Sequence, residues 1–179
     1  MIYDIINETG SHYEEKRELM ISLIFEHPAQ VSDLLLQKDT FDGYTVGNIL
    51  LTGALSISME NTDVNKPEPY KNVRSLISSF TASSEESDHD HTYLMSLQKA
   101  RIILHAPLSY QNSLLSSADI PGGPQIIRSL VITFRWENET LSALTGVSYN
   151  NFTTDKSAER LWDQAIQKAF DHLSISYTL

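Results

Sequence analysis

Residues 127–149 read IRSLVITFRWENETLSALTGVSY, and the period of this stretch decides the fold class. Ile127, Ser129, Val131, Thr133 and Arg135 alternate with Arg128, Leu130, Ile132, Phe134 and Trp136, and after Arg128 the second set is wholly apolar. A period of two turns one set toward a core and the other toward solvent, as in a half-buried strand. Glu137, Asn138 and Glu139 then turn the chain, and 140–149 answer as a second strand. An antiparallel hairpin is expected.

On its C-terminal side the period changes. Thr154 and Asp155 offer a cap, and Leu161, Trp162, Ala165, Ile166, Ala169, Phe170 and Leu173 follow as an apolar stripe at helical spacing. On its N-terminal side, Pro121, Gly122, Gly123 and Pro124 form a connector. They lack the Lys-Ser/Thr of a phosphate loop, and two prolines remove amide donors that an anion cradle needs.

Further upstream the pattern reads mainly as helix. Ser11 and Glu14 make a capping box ahead of Leu19, Leu23 and Ile24, and His27-Pro28 stops that helix. Pro28 opens a second helix through Val31, Leu34 and Leu35. In 45–59, Val46, Ile49, Leu50, Gly53 and Ile57 fit helical spacing, and the length favours a buried helix over a strand. Val73, Leu76, Ile77 and Phe80 mark a helix over 70–80. Tyr93, Leu97, Ala100 and Leu104 suggest another, closed by Pro107, with a small one over 108–116. The expected fold is thus α+β: a mainly helical single domain spanning 1–179, with about six helices and one antiparallel β-hairpin before the C-terminal helix.

Composition narrows the function. The 179 residues suit one domain, and a hydrophobic share of 41% with 20% charged residues is ordinary for a globular core. With no cysteine, disulfides, thiolate metal sites and cysteine nucleophiles are excluded. The opening residues carry neither a basic region nor an apolar run of signal length, and the apolar run 46–55 is too short to span a bilayer. A cytoplasmic location is expected, which makes the sequons at Asn7, Asn138 and Asn151 chance matches.

Thirteen basic residues against 23 acidic ones give a formal charge of −10. Phosphate backbones repel such a field, and no basic patch offsets it, the densest pair being Lys16-Arg17. Nucleic acid is disfavoured as a partner. A protein more basic than this chain is favoured, and close contacts allowed by Gly47 and Gly53 leave a homodimer open.

The chemistry-bearing residues concentrate in 81–91. Asp88, His89, Asp90 and His91 could ligate a divalent metal, completed by Glu86 or His105. Consecutive residues rarely converge on one ion, however, so a solvated connector is the stronger reading and no cofactor is expected. His12, His27, His105 and His172 are dispersed; His27 and His172 stand near helix ends, where an imidazolium complements the dipole. No nucleophile elbow occurs. Arg128 and Arg135 on the hairpin's polar face either pair with neighbouring acids, the favoured reading, or receive an anionic ligand.

Two function classes follow. The first is a small accessory protein that binds and inhibits or regulates a protein partner, of the immunity, antitoxin or anti-defence type. Glu85, Glu86, Asp88 and Asp90 are its expected contact surface. The second is a metal-assisted hydrolase built on His89 and His91. A structural subunit of a larger assembly is close to the first.

Overall fold

The computed structural model describes residues 20–61, 66–81, 94, 97–116, 120 and 124–179. Seven strands and four helices appear among them: β1 (Ser22–Phe25), α1 (Pro28–Leu36), β2 (Thr45–Thr52), β3 (Ser56–Glu60), α2 (Tyr70–Thr81), β4 (Lys99–His105), α3 (Leu108–Ser116), β5 (Ile127–Glu137), β6 (Thr140–Tyr149), α4 (Ser157–His172) and β7 (Tyr177–Thr178). The strands form one sheet in the order β3-β2-β4-β5-β6-β1-β7, with every neighbouring pair antiparallel. The fold is α+β, but strand content equals helix content. The mainly helical reading with six helices is overturned.

The hairpin, at least, forms where its alternation puts it. Glu137 pairs with Thr140, and the two residues between them adopt positive φ, 52° at Asn138 and 59° at Glu139. That is a two-residue turn whose twist matches its strands. Leu130, Ile132, Phe134 and Trp136 are buried, as the alternation requires.

Three stretches read as helix are strands instead. In 45–59 the chain forms the β2–β3 hairpin, and a bulge explains the misleading period. Val46 pairs with Leu104 and Asn48 with Ile103, leaving Gly47 as an extra residue. A bulge adds one to the period of two, so the buried Val46 and Ile49 stand three apart and imitate a helical face. In β4 the buried residues Ala100, Ile102 and Leu104 alternate strictly, while Leu97 lies before the strand, its carbonyl taking the Trp136 indole N–H at 2.8 Å. In β1, Leu23 and Phe25 are buried and Ile24 is exposed, so 22–25 belongs to the sheet. The capping box at Ser11 and Glu14 lies outside the described residues.

The helices cover one face. Paired residues share a face, so Val46, Ile49, Ala100, Ile102, Leu104, Leu130, Ile132, Phe134, Leu141, Ala143 and Leu23 form a single buried layer. On α4, Trp162 is fully buried, donates its indole N–H to the Val131 carbonyl at 2.8 Å and meets the Tyr110 ring edge-on; Phe170 meets Phe25 edge-on at 5.0 Å. Gln111 ties α3 to the sheet by donating to the Ala106 carbonyl and accepting from the Leu130 amide. The Tyr70 hydroxyl donates to the Leu35 carbonyl at 3.0 Å, locking α2 to α1. The opposite face carries no such layer among the described residues.

Candidate functional site

That opposite face can be built up row by row from the strand register. Ser58, Leu50, Arg101, Arg135, Ser142, Ile24 and Thr178 stand side by side across all seven strands. Glu60, Asn48, Ile103, Thr133, Leu144 and Ser22 form the next row. Beyond it lie Thr45, His105, Val131 and Gly146. Ile24, Arg101 and Arg135 are exposed, while Leu50, Ile103, Val131, Thr133 and Leu144 are half-buried. The face is therefore apolar at many points yet open to solvent among the described residues.

Its centre is basic. Arg101 and Arg135 are directly opposite one another on β4 and β5, an arrangement that repels. The guanidinium of Arg101 donates to the Asn48 side-chain carbonyl at 3.1 Å. Arg135 has no ion pair or hydrogen bond from its side chain among the described residues, and neither has Arg128, so the favoured pairing of these arginines with acids is absent there. Lys99 and Glu137, one row away, neutralise each other. Among the described residues, then, no acid compensates the two central arginines, although the chain's net charge is −10.

At one end of the face, two bulges frame His105. Gly47 is the extra residue on β2; Arg128 is the extra residue on β5, since Ile127 pairs with Tyr149 and Ser129 with Ser148. A Cβ on Gly47 would lie 2.5 Å from His105 Nε2, so only glycine leaves room for this imidazole. His105 Nδ1 lies 3.1 Å from Ser129 Oγ, within hydrogen-bonding reach. Burial, helped by the Arg128 charge, holds the His105 pKa below the ordinary histidine value. An unprotonated imidazole beside a serine hydroxyl can act as a base, but among the described residues no carboxylate bonds its other nitrogen. Bulges locally disrupt the ladder, and here one leaves room for the imidazole and the other places the Arg128 charge where it acts on it.

On the helix side, α4 carries two buried acids that the sequence reading passed over. Asp163 accepts from the Thr145 hydroxyl, and Glu159 takes the Tyr149 hydroxyl and the Lys156 ammonium, the latter at 2.9 Å. Burial raises the Asp163 pKa, only partly offset by the Thr145 hydrogen bond. Each polar group here has a partner, which marks the cluster as a join between α4 and β6. A signal was present: Glu159 and Asp163 fall one turn apart, beside Trp162, on the helix's apolar side.

The residues singled out earlier fare differently. Glu85, Glu86, Asp88, His89, Asp90 and His91 lie outside the described residues. His27 precedes α1, His172 ends α4, and His105 lies in β4 rather than in a helix. No group of three or more histidines and acids among the described residues could hold a metal ion. No described helix is long and apolar enough to cross a membrane.

Strands β4 to β7, with α3 and α4, coincide with the one stretch for which a relationship is found. Residues 96–178 match a family of unknown function, DUF5721. The match covers short of half the chain and takes in His105, Ser129, Arg101 and Arg135. The DUF5721-like stretch leaves out β1, although β1 lies between β6 and β7 in the sheet. No curated protein and no solved structure matches the chain.

Proposed function

We propose that this chain is a small accessory protein that binds and regulates a protein partner, docking it on the open face of the sheet. The observation that carries this reading is the face itself. Apolar side chains at Leu50, Ile103, Val131 and Leu144 are left half-buried around two arginines that no acid compensates among the described residues. Water-exposed apolar area interspersed with arginine is the composition of a protein interface. Gly146 adds support: a Cβ there would meet nothing within 4 Å, so no neighbour in the fold requires glycine. Glycine weakens a strand interior, and one reason to keep it is close approach by another chain.

The acidic run 85–90 and a basic partner made up the earlier expectation, and the described surface supports a different contact. A photo-crosslinking residue placed at Thr133 or Ser142 should capture one partner in the native host, while the same residue at Gln164 on α4 should not. The Gly146→Val variant should fold at least as stably and lose that crosslink. Equal capture from both sides of the molecule, or none from the open face, would sink the reading.

One observation favours a second reading, a hydrolase: the His105–Ser129 hydrogen bond. Ester or amide turnover by the isolated chain, abolished by Ser129→Ala, would move the assignment there.

A further inference from the structure

The open face bears a specific chemical demand at its centre. Two guanidinium groups stand on directly opposite residues of β4 and β5, whose Cα atoms are about 5 Å apart in such a pair. Like charges so placed destabilise a sheet, and this chain has ten more acidic than basic residues from which to neutralise them. Yet the only side-chain partner that the pair has among the described residues is the neutral Asn48 carbonyl. Among the described residues no other group accepts from the side-chain N–H groups of Arg101 or Arg135. Apolar residues flank the pair along the same row, Leu50 on one side and Ile24 beyond Ser142 on the other.

We infer that Arg101 and Arg135 form a carboxylate clamp, and that the occupant of the open face is an acidic polypeptide segment that turns both carboxylates and apolar side chains toward the sheet. The proposal rests on the docking reading above and names the chemistry of its partner. Guanidinium groups bind carboxylates through paired, charge-assisted hydrogen bonds. The mixed character follows from the row, where the arginine pair has aliphatic side chains to either side, and an extended segment meets it with every second side chain. The chain's overall negative charge does not forbid such a partner. Charges further than a Debye length, about 8 Å at physiological salt, are largely screened, so the local pair decides the contact.

The test uses the full chain, isotope-labelled at arginine, titrated with a short peptide whose every second residue is glutamate or valine and whose remaining residues are serine. The side-chain resonances of Arg101 and Arg135 should shift and saturate. A valine–lysine peptide should leave them unmoved. Replacing both arginines by glutamine should weaken glutamate-peptide binding by roughly tenfold or more while leaving the thermal midpoint unchanged or raised, because a repulsive pair is removed. Equal response to the lysine peptide, or glutamate-peptide binding that survives the double substitution, would overturn the clamp. So would a response to inorganic phosphate with none to the peptide, which would mark a small-anion site. Failure of the docking reading is distinct: it shows as missing open-face crosslinks even where the peptide binds. If the crosslinked partner is retained by the glutamine variant, the clamp falls and the docking surface stands.

Discussion

His105 is held by what surrounds it more than by any ordered partner set. Gly47 makes room for the ring, Ser129 bonds it, and Arg128 disfavours its protonation. Gly47→Ala should therefore cost about 1–3 kcal/mol, the usual penalty of overpacking, and His105→Ala in the same chain should recover most of it. Urea midpoints of the single and double variants check this; an additive result would show that the ring is not the obstacle. The pH dependence follows with its sign. Because the folded pKa lies below the usual 6.5, the unfolded chain takes up the proton first, and stability falls as pH drops through that value. Asp163 acts oppositely, since its raised pKa lets the folded state take up a proton first. Comparison with His105→Gln isolates the imidazole: the variant should gain on the wild type between pH 7.5 and pH 5.5. A constant gap would mean that His105 is not desolvated. Arg135 stood out in the sequence because the alternation puts it on the polar side, whereas Arg128 stands at the bulge where the alternation breaks. Arg101 did not, because its position opposite Arg135 exists only once β4 is a strand.

Among the elements, α4 has the most to lose from a single truncation. Trp162 is fully buried, hydrogen-bonded to β5 and in ring contact with α3, so Trp162→Ala should cost about 3–5 kcal/mol. Leu173, read from the sequence as part of the same stripe, is 38% exposed just past the helix, and Leu173→Ala should shift the denaturant midpoint little. Equal losses from the two would show that the stripe, rather than its buried half, carries the helix. All four described helices were legible from apolar spacing and proline, and so was the β5–β6 hairpin from alternation. Four of the five remaining strands failed for identifiable reasons. The Gly47 bulge gave β2 a helical spacing and carried β3 with it. In β4, Leu97 before the strand completed a false helical face with Ala100 and Leu104. Within β1, four residues are too few for a period, and their position beside β6 depends on partners more than a hundred residues away. The two-residue β7 carries no local pattern at all.

For the whole molecule, the sheet can close only when both ends of the described chain are in place. β1 fills the slot between β6 and β7, and Phe25 brings its ring to Phe170. A fragment 96–178, cut to the limits of the DUF5721-like stretch, would leave β7 with no neighbour and expose the β6 edge. It should show no cooperative urea transition, whereas the full chain should unfold in one sharp step. A cooperative fragment would show that the matched stretch is self-sufficient. The two bulges have a consequence of shape. Both sit at the same end of the face, on the strands either side of β4, and each adds right-handed coiling to the strand that bears it. The local right-handed twist is thereby greater at that end of the open surface. Extra twist on both neighbours of β4 makes that end of the face a poor match for a flat second sheet, which opposes the stacking of one copy's sheet on another's there.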